Sequence, residues 1–171
     1  MPRSTNRLLL RPPTLDDLDR LFAIYSDPAT NRFNPNGPMT GLKQARTLLD
    51  NWLNHWKEQG YGWWAIATRE CPDEIIGFGG IGLMSYLAVE RVNLGYRFSE
   101  PAWGKGYATE VSAAALDFAF SELKLASVYG LVRPAHQASI RVLEKTGLQR
   151  IGLLDDVPGQ APSLVYLARR V

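Results

Sequence analysis

The ten residues PAWGKGYATE (101–110) set Gly104 and Gly106 on either side of Lys105 and pass at once into alanine-rich, helix-like sequence. A helix that starts directly after a strand leaves its first N–H groups unpaired and pointing along the axis, so its N-terminus attracts anions. Phosphates come close to such a turn only where the backbone is bare, which is what glycine supplies. The stretch lacks the longer spacing and the closing Lys-Ser/Thr of a nucleoside-triphosphatase loop. A pyrophosphate held without magnesium suits it better, with a plain tight turn as the alternative.

A second glycine stretch, GFGGIG (77–82), satisfies the Gly-x-Gly-x-x-Gly pattern of dinucleotide-binding folds. That fingerprint needs a helix opening inside it, and LMSYLAVERVN shows neither cap nor helical period. The spacing predicts instead a strand whose missing side chains let a neighbour lie close.

These stretches must be positioned by the rest of the chain. Its 171 residues, 46% hydrophobic and 21% charged, fit one globular domain over residues 1–171. A net charge of +2 is too slight to advertise nucleic acid or an anionic membrane. Cys71 is the only cysteine, and no Cys/His cluster has metal-site spacing, so neither disulfide nor metal is expected. The opening MPRSTNRLLLRPP is neither signal peptide nor membrane span, and a cytoplasmic location is expected.

RLLLR (7–11) reads as a strand stopped by Pro12 and Pro13, followed by a helix capped at Thr14 and ended by Asp27-Pro28. Residues 27–39 are dense in Asn, Pro and Gly and predict a loop without regular structure. Thr40 caps a second helix that Gly60 ends. Strands follow at 62–69, 75–84 and 91–99, then a helix over 108–119, a strand at 126–133, a helix ended by Gly147, and strands at 148–154 and 163–170. The sum is an α/β (α+β) fold with a mixed, mostly antiparallel sheet of about seven strands and four flanking helices. The glycine corner is the turn of its one parallel crossover. An exposed final strand offers a route to a homodimer.

In this order of elements, and in LGYRFSEPAWGKGYATE and ASIRVLEKTGL, the chain resembles the GNAT superfamily of N-acetyltransferases, nearest the branch that acetylates ribosomal-protein N-termini. Trp103 stands where the broader superfamily has Gln or Arg. The resemblance implies acetyl-CoA as acetyl donor, without metal. It implies that amides from Gly104 through Lys105, Gly106, Tyr107 and Ala108 to Thr109 hold the pyrophosphate. It further implies that the strand holding Tyr96, Arg97 and Phe98 splays from its neighbour to pair with the pantetheine arm. His136, where the family usually has Asn, is a candidate for that arm or a solvated helix cap. Arg141 reaches phosphate or solvent.

Acetyl transfer to an amine needs a neutral nucleophile, stabilisation of the oxyanion and a proton for the departing thiolate. The tyrosine that many family members use for that proton is Leu143 here. Ser139, one turn earlier, matches the branch's serine and is the candidate catalytic acid, with local backbone bonding as its alternative. Glu90 is the first candidate base, Asp155 and Asp156 the second, and a water chain the third. The acceptor pocket is expected between the 27–39 loop, the start of the 40–59 helix, and the 84–90 and 155–163 segments, shaped by Phe33, Tyr86 and Trp63-Trp64. A protein N-terminus, a polyamine and another small amine all fit. A silent acyl-CoA-binding regulatory module is the competing function.

Overall fold

The computed structural model describes residues 2–86 and 88–171. Its centre is one eight-stranded sheet: β1 (Arg3–Ser4), β2 (Leu8–Arg11), β3 (Trp63–Thr68), β4 (Ile75–Tyr86), β5 (Val89–Phe98), β6 (Ser127–Val132), β7 (Gln149–Leu154) and β8 (Ser163–Arg169). The spatial order is β1-β2-β3-β4-β5-β6-β8-β7, and only β5 and β6 run parallel. Two of these features correct the sequence reading. β1 adds an eighth strand, too short at two residues to show alternation. The final strand is interior, between β6 and β7, so the free edges belong to β1 and β7 and not to β8.

Alternation in β3 sorts side chains to two faces. Trp64 and Ile66 join Leu8, Leu10, Ile81 and Leu94 beneath α3 (Tyr107–Asp117) and α4 (Gln137–Lys145), which contribute Val111, Ala115 and Leu143. Ala65 and Ala67 join Phe78 beneath α1 (Leu18–Tyr25) and α2 (Leu42–Gln59), which contribute Leu21, Ile24, Leu49 and Trp52. Alanines in β3 make room for the large rings of Trp52 and Phe78, whose centroids lie 5.4 Å apart. The α1 period begins only at Leu18. A 3-10 turn precedes it, and the buried Asp17 there accepts the Thr14 N–H and a forked pair of bonds from Arg11.

The 27–39 segment is more ordered than its composition predicts. Residues Pro28–Asn31 form a 3-10 turn, and the buried Asn31 donates to the carbonyls of Tyr25 and Asp27. Short polar side chains here replace regular backbone pairing.

Sheet continuity fails at one place. β5 and β6 pair only at Asn93–Tyr129 and Leu94–Gly130. From Gly95 to Phe98, β5 keeps β4 on one edge and has no strand on the other. β6 continues to Val132 paired with β8 alone. The strands part, and α3 and α4 start at the open end.

Candidate active site

The chain leaves β5, makes a 3-10 turn at Glu100–Ala102 and enters α3 through Gly104 (φ +75°) and Gly106 (φ +82°). Both glycines hold the left-handed conformation that a side chain resists. Glu110 N–H, bonded to Gly106 O, is the first amide of this corner to find a backbone acceptor past Trp103. The six N–H groups from Gly104 to Thr109 donate to nothing among the described residues. Six consecutive free donors at a helix N-terminus, with Lys105 exposed among them, are what an anion would pair with.

A residue that sequence reasoning missed holds this corner in shape. The Arg7 guanidinium donates 2.7 Å to Lys105 O and 2.7 Å to Glu110 Oε2, and lies 4.7 Å above the Tyr107 ring. The Arg7 amide and the Thr5 hydroxyl bond the other Glu110 oxygen. Burial alone would raise the Glu110 carboxyl, but these bonds outweigh it and hold the group below its ordinary value. The only sequence signal was an arginine opening the first apolar strand.

The free edge of β5 runs from this corner to the parting of the strands. Tyr96 and Phe98 face α3 and α4, and Trp103 Nε1 bonds Phe98 O at 2.9 Å, fastening the corner to the strand end. The hydroxyls of Tyr96 and Ser139 lie 2.8 Å apart. Burial pushes the Tyr96 phenol up to about 12, against the opposing bond to Ser139, so it is protonated at neutral pH. The pair therefore has a proton to give. GFGGIG makes room for this arrangement: a Cβ on Gly79 would lie 2.7 Å from Tyr96 Cβ, and one on Gly77 2.6 Å from the Phe98 ring. The stretch is part of β4, as its context predicted.

Leu143 is in the core at 3% exposure, unable to donate a proton. Arg97 points to the other face, 2.9 Å from Asn31 Oδ1 and 4.3 Å above the Tyr25 ring. His136 occupies the N-cap position of α4, but its side chain makes no capping bond. Its ring stacks on Phe33 at 4.3 Å and 15°, joining the 27–39 segment to α4, and burial lowers its pKa. Arg141 is exposed. Glu90 is exposed at the start of β5, six residues or about 20 Å along the strand from Tyr96. The structure brings Tyr96 and Ser139 together and leaves Glu90 apart. Asp156 is engaged by Ser163 Oγ at 2.7 Å and Arg133 at 3.7 Å. Trp64 is fully buried, while Trp63 covers Gly82 and Gly95.

Comparison with known proteins gives the same reading. The family model described as an acetyltransferase (GNAT) domain matches residues 7–149. The chain is 32% identical over 153 residues to the uncharacterized N-acetyltransferase p20 of Bacillus licheniformis, covering 89% of this chain and 84% of that protein. An acetyltransferase from Agrobacterium tumefaciens superposes with a TM-score of 0.84 at 26% identity, covering 99% of this chain and 95% of the other. A ribosomal-protein-S5-alanine acetyltransferase from Vibrio fischeri shares the fold at a TM-score of 0.77 and 14% identity, over 99% and 97% of the two chains. With a glycine corner at a helix N-terminus, a parted pair of strands and a match over most of its length, the chain belongs to the GNAT family of acetyl-CoA-dependent N-acetyltransferases.

Proposed function

We propose that the chain transfers the acetyl group of acetyl-CoA to a primary amine by direct attack, with both substrates bound together. The observation that carries this is the continuity of the six free amides at 104–109 with the unpaired β5 edge at 95–98. Bare left-handed glycines leave the corner open, so the residues present fit a pyrophosphate followed by an extended, amide-bearing arm. The coenzyme supplies an activated acetyl thioester.

The chain's own groups do the rest. Gly104 to Thr109 and Lys105 hold the phosphates, and the edge from Gly95 to Phe98 pairs the arm. A free N–H of that edge faces the charge that develops on the carbonyl oxygen. Ser139, backed by the protonated Tyr96, delivers a proton to the departing sulfur. The acceptor's proton passes to water; Asp156 is held by Ser163 and Arg133. A peptide α-amine, titrating near ~8, needs little help at neutral pH.

Calorimetric titration of acetyl-CoA into the wild type and into Gly106→Glu tests this. Binding by the wild type that the added carboxylate abolishes supports the corner as the coenzyme site. A folded wild type that does not bind overturns the proposal. Steady formation of acetylated amine separates an enzyme from a silent acyl-CoA-binding module.

A further inference from the structure

We infer that the amine acceptor carries a carboxylate and that Arg91 is the residue that recognises it; this rests on the acetyl-transfer reading above. Arg91 lies near the start of β5, on the face opposite Tyr96 and Ser139, in register with Met84 of β4. Its guanidinium carbon sits 5.3 Å from the Tyr86 ring centre and 4.9 Å from that of Tyr129. The two rings stand edge to face, 6.4 Å apart at 81°. They hold the guanidinium between them, yet Nε is buried without a partner and Arg91 joins no ion pair among the described residues.

Arg91 is the one arginine with a buried guanidinium nitrogen left without a partner among the described residues. Arg3, Arg7, Arg11, Arg46 and Arg133 all meet carboxylates. Glu90, the adjacent acid, has its side chain on the other face of the strand. A partly desolvated guanidinium with no counter-ion is costly unless a ligand supplies the anion. Arg97, six residues on and on the same face, is also without a carboxylate among the described residues.

The space around Arg91 fits such a ligand. A cavity of about 330 Å³ opens between the N-terminal ends of β5 and β6, lined by Glu90, Arg91, Val92, Ser127 and Tyr129, so that it offers an acid for the ligand's ammonium end beside the arginine for its carboxylate. A second, of about 160 Å³, lies between Arg91 and an apolar wall of Leu153, Leu154 and Val165. Arg91 is four residues before Gly95, where the free edge of β5 begins, or about 13 Å along the strand. The arginine side chain spans part of that distance. The acceptor therefore has its amine and its carboxylate several bonds apart, joined by an apolar body, and is not a simple α-amino acid.

The test compares kcat/KM for three probes of similar length: 6-aminohexanoate, 1-hexylamine and 1,6-diaminohexane. A dipeptide pair, Ala-Glu amide and Ala-Gln amide, asks whether the carboxylate can be a side chain of a peptide. Calorimetric binding of acetyl-CoA is measured on every sample, so loss of the coenzyme reading is seen separately. In the wild type the carboxylated member of at least one set is expected to exceed its uncharged partner by about tenfold or more, the scale of one charge-assisted hydrogen bond. In Arg91→Met that ratio falls to about one, and Arg91→Lys keeps part of it. A preference for the diamine, a ratio near one in the wild type, no turnover of any probe by protein that binds acetyl-CoA, or an Arg91→Met enzyme that keeps the preference each overturns the inference.

Discussion

The Tyr96 hydroxyl on β5 and the Ser139 hydroxyl on α4 meet at 2.8 Å, joining two elements that the parting of β5 from β6 would otherwise leave apart. Leu143 supplies no acid, and in the proposed mechanism proton delivery to the thiolate falls on this pair. Ser139→Ala is expected to lower kcat by roughly a hundredfold, within the range for a positioned acid, with acetyl-CoA affinity little changed. Tyr96→Phe lowers it less, and the double variant is no worse than Ser139→Ala, because the tyrosine acts through the serine. Steady-state kinetics with calorimetric affinities check this. Additive losses in the double variant would show two independent roles.

Arg7 sets a second dependence, between the first strands and the glycine corner. Arg7→Ala removes the support of Lys105 O and of Glu110 at once, and a Cβ at Gly106 would lie 3.3 Å from the same guanidinium. Acetyl-CoA affinity is expected to fall about tenfold, with kcat at saturation nearly kept, since Arg7 positions the corner and touches no reacting atom. Glu110 is held below its ordinary 4.5. The stability it contributes is present above that value and is lost as pH falls through the depressed folded value. Wild-type unfolding midpoints in urea should drop across this acid range, and drop less in Glu110→Gln. Equal losses in the two proteins would remove Glu110 from the account.

Much of this was legible in the sequence, for reasons that differ by residue. GKG before an alanine-rich run is a local signal, because a bare turn and a helix start are set by neighbouring residues, and the corner lies where the motif put it. GFGGIG was legible as a strand from what followed it, but its partners, Tyr96 and Phe98, are set by β4–β5 register that no local pattern encodes. The same holds for Tyr96 and Ser139, 43 residues apart in sequence. The final strand was read as an edge because chain order suggests adjacency, whereas β8 inserts between β6 and β7. Nothing local in the sequence singles out Arg7 or Arg91. What distinguishes them is a partner in one case and the lack of one in the other.

His55 closes a gap in the ladder beyond the start of β3. Its Nε2 accepts the Leu83 N–H at 3.0 Å, and its Nδ1 lies 2.8 Å from Tyr61 O, the arrangement of the tautomer with its proton on Nδ1. His55→Phe keeps the ring but leaves both backbone groups without a partner. A loss of about 2–4 kcal/mol is expected, from two unsatisfied groups at about 1–3 kcal/mol each less relaxation. Urea unfolding at neutral pH measures it. A loss below about 0.5 kcal/mol, the scale of a surface substitution, would show that water satisfies both groups.

Three tyrosines give the fold an alkaline limit. Burial pushes Tyr25, Tyr86 and Tyr96 up to about 12, from 10.0 in the unfolded chain. Between these values the unfolded chain has released phenolic protons that the folded chain still holds, so stability falls as pH rises. Below pH 10 their contribution is complete. Arg97 above the Tyr25 ring opposes the shift there without reversing it. Tyr25→Phe keeps the ring against Trp52 and Phe78 and removes one ionisation. The urea midpoint of the wild type is expected to fall between pH 9 and pH 11, and that of Tyr25→Phe to fall less steeply. Parallel slopes in the two proteins would mean that Tyr25 ionises in the folded state, and would leave the alkaline limit to the other raised tyrosines.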